Sequence, residues 1–317
     1  MILICVCCAA VRRLPPLLIA VALALGAAAC GDDDSGGGAA VEVVATTTHV
    51  ADLVRNVGGG RVAVDGILPA NADPHDYEPR PSDAAALSDA ELVVRSGGDL
   101  DEWLDEVIDG AGGDAEQVTL IDSVETIQGE GETDPHWWQN PRNAIRAVAA
   151  IRDALVAADP EGSAGYERRA AAYTRDLRRL DSEIERCMNE IPAAKRKLVS
   201  THDALGYFAD RYELDVIGAV IPSLSTQAQP SAKDVQDLVD QIESEGVEAI
   251  FPEAALSQRL EQAISREAGA EVGGELWADT LGPDGSSGAT YLDAMGANAA
   301  ALAEGMSGGR VRCSFRR

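Results

Sequence analysis

The chain has 317 residues, 46% hydrophobic and 25% charged, which is enough apolar mass to fold and enough length for two ordinary domains. It carries 26 Lys and Arg against 53 Asp and Glu, a net charge of −27. A surface that acidic repels phosphate backbones and draws cations, so nucleic acid is excluded as a partner.

Residues 1–29 read as a lipoprotein signal peptide. Arg12 and Arg13 form a charged start, Leu17 to Leu25 an apolar stretch, and Ala27, Ala28 and Ala29 a small-residue stretch before Cys30. The apolar stretch falls short of the roughly 20 residues that a membrane span needs. Cys30 stands where a bacterial lipoprotein takes its lipid, with Ala27 in place of the usual Leu; the alternative is a plain cleaved signal. Residues 30–40 form a Gly- and Asp-rich tether with nothing to pack. Such a chain works outside the cytoplasm and touches the membrane through its lipid alone. Cys5, Cys7 and Cys8 leave with the leader, so Cys187 and Cys313 remain as an even pair in an oxidising compartment. A disulfide between them is expected, stapling the C-terminal tail; a reduced, buried Cys187 with a frayed tail is the alternative.

Beyond the tether, a β-branched run at Val41 to Thr47 predicts a buried strand, and apolar residues at 50, 53, 54 and 57 predict a helix ending at Gly58. Strands are predicted at Arg61 to Leu68 and Glu91 to Arg95, with a helix opening at Pro81 between them. That alternation argues for an α/β fold with parallel strands and crossover helices. Helices follow at Pro141 to Val156 and, without an internal break, at Ser163 to Ile191, where Pro192 closes a rod of about 38 Å. A second α/β half then runs through strands at Lys197 to Thr201, Asp215 to Ile221, Val247 to Phe251 and near Glu271. Its helices are predicted at Ala204 to Arg211, Ala232 to Glu245 and Ser257 to Ala268.

The chain has four histidines, His49, His75, His136 and His202. His75, His136 and His202 lie in loops beside Asp or Pro, at strand ends or helix starts, where α/β proteins collect their ligand-binding side chains. Their spacing matches no short zinc motif, and solvated loop histidines are the bland alternative.

The segments ADPHDYEPRPSDAAALSDAELVV, DPHWWQNPRNAIRAVAAI, KLVSTHDALGYFADRY, AVIPSLSTQAQPSAKDV and LGPDGSSGATYL, in this order and spacing, resemble a known family. They look like the metal-binding lipoproteins of zinc and manganese ABC importers, the ZnuA/TroA-like, cluster A-I solute-binding proteins, over about Val41 to Gly305. The resemblance implies two lobes, each a mostly parallel sheet flanked by helices, at residues 41–160 and 193–310. One long rigid helix at 161–192 joins them, and the metal sits between them. It implies the metal ligands His75, His136, His202 and Asp279. An Asp at 279 capping a helix is the structural alternative for that residue. Three imidazoles and one carboxylate suit a four-coordinate ion of borderline softness. His at 202 is the zinc-type choice, and Glu there is common in manganese-type members.

Two features depart from the pattern. The loop before His136, Gln128 to Thr133, is short and lacks the His-rich insertion of many zinc-type members. His49, at the end of the first strand where the family often has an apolar residue, is expected to face the cleft as an extra ligand or a polar lining residue. Glu253 is expected to support a ligating His, Trp137 and Trp138 to exclude water, and the Ser223 to Thr226 loop to lie between the lobes. The implied function is a zinc receptor, acting as a monomer, that delivers Zn2+ to an ABC permease. Alternatives are a manganese (Mn2+) receptor, a zinc hydrolase or a lipoprotein adhesin; no HExxH, nucleophile elbow or catalytic carboxylate pair supports an enzyme.

Overall fold

The computed structural model describes residues 40–111, 114–129 and 131–315; the signal peptide, Cys30 and the tether as far as residue 39 lie outside them. The first lobe is built on β1 (Val41–Ala45), β2 (Val62–Gly66), β3 (Leu92–Arg95) and β4 (Glu116–Thr119), an all-parallel sheet in the order β2-β1-β3-β4. Burial on both faces explains why β1 and β3 are mostly aliphatic, apart from the exposed Glu42 and the terminal Arg95.

The crossovers are α1 (Thr48–Gly58), α2 (Pro81–Asp89) and α3 (Trp103–Ala111). Thr47 caps α1, its hydroxyl accepting from Val50 N at 3.3 Å. A small antiparallel hairpin, β5 (Gln128–Gly129) with β6 (Glu132–Thr133), precedes α4 (Pro141–Ala158). The elements predicted from sequence do not include α3, β4 or this hairpin, although apolar Leu104, Val107 and Ile108 recur at helical spacing in α3.

The long helix is α5 (Ser163–Asn189), 27 residues or about 40 Å. It stops three residues before Pro192, and Pro192 starts the extended entry to the next element. Its apolar stripe (Tyr166, Ala170, Tyr173, Leu177, Leu180, Ile184 and Met188) packs against α1 and α4 of the first lobe and against helices of the second.

The second lobe contains β7 (Lys197–His202), α6 (Gly206–Tyr212), β8 (Asp215–Ile221), α7 (Ala232–Glu245), β9 (Ala249–Ile250), α8 (Arg259–Ala268), β10 (Glu271–Val272) and α9 (Tyr291–Met306). β7 pairs in parallel with β8 and β9 with β10, and an isolated parallel bridge from Ser200 to Phe251 joins the two pairs. α7 carries a reciprocal cap, Ser231 with Asp234, and ends at Gly246 in the left-handed region, φ 63°.

α9 is the element hardest to see in the sequence. Ala and Gly line it, and it is buried on most sides, so no polar stripe marks its period. Cβ atoms at Gly296 and Gly305 would lie 3.2 Å from Phe315 and 2.6 Å from Phe251. The tail beyond it is held by a disulfide between Cys187 of α5 and Cys313. Among the described residues, no helix is long and apolar enough to cross a membrane.

Candidate metal centre

Two of the histidines, His75 and His202, come from the carboxyl ends of parallel strands, where such sheets collect ligand-binding side chains. His75 sits in a short turn after β2, His202 is the last residue of β7, and Asp279 lies on the loop after β10. His136 follows the hairpin and immediately precedes a buried turn, Trp137–Gln139, that leads into α4.

These four side chains meet. One donor atom from each lies within 4.8 Å of all the others; His136, His202 and Asp279 are buried and His75 is half-buried. His202 Nε2 stands 3.1 Å from Asp279 Oδ2 and 3.4 Å from His136 Nε2. His75 Nε2 is 3.2 Å from Asp279 Oδ2, and His136 Nε2 is 3.5 Å from Asp279 Oδ1. Donors about 2.0–2.1 Å from one tetrahedral ion lie about 3.3 Å apart, and these four separations are close to that value. His75 Nε2 and both Asp279 oxygens are buried and make no well-aligned hydrogen bond, so their lone pairs are left for a shared centre. Asp279 caps no helix: the next one begins at Tyr291 and is capped by Thr290.

Each buried imidazole is fixed from behind. His202 Nδ1 lies 2.6 Å from Glu253 Oε1, which also accepts from His202 N at 3.1 Å. His136 Nδ1 lies 2.8 Å from Asp134 Oδ1, which likewise accepts from His136 N at 2.8 Å. A carboxylate on Nδ1 sets the tautomer, leaving Nε2 as the lone-pair nitrogen, and makes the ring a stronger donor. Asp134 was missed in the sequence, although a signal exists: Asp-Pro-His occurs twice, at 73–75 and 134–136. In the first copy Asp73 Oδ1 accepts from His75 N at 2.9 Å. Gly206 makes room for Asp134, since a Cβ there would stand 2.9 Å from its Oδ2. Tyr207 OH donates to Asp134 O at 2.7 Å and draws the hairpin in by accepting from Ile127 N at 3.3 Å.

Asp279 is held by the first lobe. Trp138 Nε1 and Gln139 Nε2 both donate to Ala278 O at 2.8 Å, and Leu281 N donates to Thr48 Oγ1 at 2.8 Å. Trp137 and Trp138 are fully buried and seal the floor. His49 lies in the first turn of α1, beyond the end of β1, and stacks on Trp138 with ring centroids 4.9 Å apart. It stands outside the group of four, with a buried Nδ1 that has no hydrogen bond. Thr226, from the loop after β8, reaches Asp73 Oδ2 at 2.7 Å, so that loop does lie between the lobes.

The ionisable groups of the centre act on one another. Burial opposes ionisation of Asp279, yet His202 and His136 hold its carboxyl well below the usual range. Burial likewise opposes a charge on His202, but Asp279 and Glu253 raise it well above an ordinary imidazole. His75 rises in the same way beside Asp279, against the effect of its own burial. Burial dominates at His49 and lowers it to about 3, so that ring is neutral.

Residues 43–305 match the profile of the family described as "Zinc-uptake complex component A periplasmic". The chain belongs to that family. Among the relatives of this member, the manganese-binding lipoprotein MntA of Halalkalibacterium halodurans is 32% identical over 261 residues, 81% of this chain and 86% of that one. The manganese ABC transporter substrate-binding lipoprotein PsaA of Streptococcus pneumoniae is 29% identical over 273 residues, 83% and 87% of the two chains. The structure of the periplasmic zinc-binding protein TroA of Treponema pallidum superposes with a TM-score of 0.79 at 28% identity, over 85% of this chain and all of that one. Family and fold together make this chain a metal-binding receptor of the ABC-importer type, α/β in two lobes with a long connecting helix.

Proposed function

We propose that the protein captures Zn2+ outside the cytoplasm and hands it to an ABC permease, with His75, His136, His202 and Asp279 as its ligands. The observation that carries this reading is the convergence of three imidazoles and one carboxylate, with His75 Nε2 and both Asp279 oxygens buried and without a hydrogen-bond partner. Nitrogen-rich, four-donor sites favour zinc over manganese, which prefers more and harder oxygen donors. Manganese is the second reading, favoured by the names of relatives such as MntA and PsaA.

Four converging protein donors suit a carrier. A hydrolytic zinc keeps one position for water. Nothing among the residues speaks for an adhesin, although one relative carries the name FimA. Cys30 would carry the lipid that keeps the receptor at the outer face of the membrane, and the receptor would act as a monomer. Metal analysis of the purified protein, followed by competition between zinc and manganese, tests the reading. Zinc should be bound at one ion per chain and should displace manganese; preferential retention of manganese would replace it by the second reading.

A further inference from the structure

Two cavities beside the metal centre share one wall. The inner one is a crevice of about 10 Å³ bounded by Asp279, Thr280 and Glu253. The outer one is a groove of about 690 Å³ lined by Asp76, Thr201, Gln227 and Glu261. Asp73, Thr226 and Leu256 line both. A crevice that small barely admits one water, so no hydrated ion passes while the wall stands.

The wall is held by hydrogen bonds between the lobes. Thr226 Oγ1 donates to Asp73 Oδ2 at 2.7 Å, and the other oxygen of Asp73 accepts from His75 N. The neighbouring Gln227 Nε2 donates to the carbonyl of His75. Both contacts pin the turn that carries His75, the least buried of the four central residues. Thr226 and Gln227 are not ligands; they hold the segment that presents one.

We propose that the loop after β8 is the gate on the metal's path, and that the Thr226–Asp73 hydrogen bond is its latch. The cation enters through the groove between Asp76 and Glu261 and reaches Asp279 when the latch opens. The proposal rests on the reading of the four-residue centre as the metal site. Opening breaks the Thr226 and Gln227 contacts, neither of which involves Glu253 or Asp134 behind the imidazoles.

The test is stopped-flow transfer of zinc from the full-length protein to a high-affinity chelator, with association measured separately. Thr226→Val keeps the side-chain volume and removes the donor. Loss of a hydrogen bond to a charged acceptor should speed dissociation about tenfold. Association should speed up too, so affinity falls by less than dissociation rises; a damaged ligand shell would instead lower affinity in full with association unchanged. Thr226→Ser restores the hydroxyl and should return the parent rates. Gln227→Ala, at an exposed position, should also speed release and decides the matter if Thr226→Val does not fold. Parent-like rates in both variants, or a Thr226→Ser protein as fast as Thr226→Val, overturn the gate. A parent protein that binds no zinc overturns the reading of the centre instead.

Discussion

At His202 two carboxylates act on one imidazole, Glu253 on Nδ1 at 2.6 Å and Asp279 on Nε2 at 3.1 Å. In the proposed metal site the first orients the ring and the second would share the ion, so they are not equivalent to mutation. Glu253→Gln should keep the ring in place but remove the charge behind it, weakening zinc about 10- to 100-fold. Competition against a chelator measures this, and parent affinity would detach Glu253 from the metal. His202→Glu exchanges a nitrogen for a hard oxygen and should shift the zinc-to-manganese affinity ratio toward manganese. An unchanged ratio in paired titrations would exclude His202 from the shell. The raised pKa of His202 also fixes a sign. In the metal-free protein this imidazole holds its proton near neutrality, so zinc must expel it, and affinity rises with pH through that pKa. Calorimetry at pH 7 in buffers of different ionisation enthalpy should therefore read net proton release on zinc binding.

At the scale of elements, α5 is fastened at both ends. Near its start, Arg169 donates to Val57 O at 2.8 Å and to Gly58 O at 2.6 Å. Farther along, buried Asp181 receives the Arg211 guanidinium through two bonds of 2.8 Å and the Tyr212 hydroxyl at 3.0 Å. Its last turn carries Cys187, bonded to Cys313 across a sequence separation of 126 residues. On the chain-entropy account, a loop of that size contributes about 4–5 kcal/mol, and removing a native disulfide costs about 2–5 kcal/mol. Cys313→Ser should lower unfolding stability within that range in urea while leaving zinc affinity near that of the parent. The bond stands on α5 and the tail, away from the four central residues. Loss of zinc affinity in step with stability would mean that α5 governs the centre.

For the whole molecule, the ions and the fold respond to pH in opposite ways. Without metal, the His202–Asp279 attraction stabilises the fold. The share from His202 is fully present below its unfolded pKa of about 6.5 and is lost as pH rises through its raised folded value. The share from Asp279 is present above about pH 3.9 and is lost as pH falls through its lowered value. Metal-free protein should thus gain most from this pair between about pH 4 and 6.5. Zinc at about 1,000 times its Kd adds about 4 kcal/mol, and it does so more fully once the imidazoles are neutral. The zinc-induced rise in Tm should consequently be larger at pH 7.5 than at pH 5.5; equal shifts at the two values would contradict ligation by three histidines.

Much of this protein is determined by local sequence. The β-branched run of β1, the 3.6-residue spacing of α1 and α5, and the Ser231 cap of α7 each report their element, because each is stabilised by neighbours a few residues away. The four central residues were nameable by resemblance, and the Asp-Pro-His repeat marks two of the loops. Tertiary structure decided the rest. α9 escapes local reading because its burial on most sides erases the polar stripe that a half-buried helix shows. Asp134 looks like an ordinary turn residue until the Gly206 gap and Tyr207 place it against His136. The Thr226–Asp73 contact joins residues 153 positions apart. No spacing rule links two loops from different lobes, and only the packing of the folded chain brings that hydroxyl to that carboxylate.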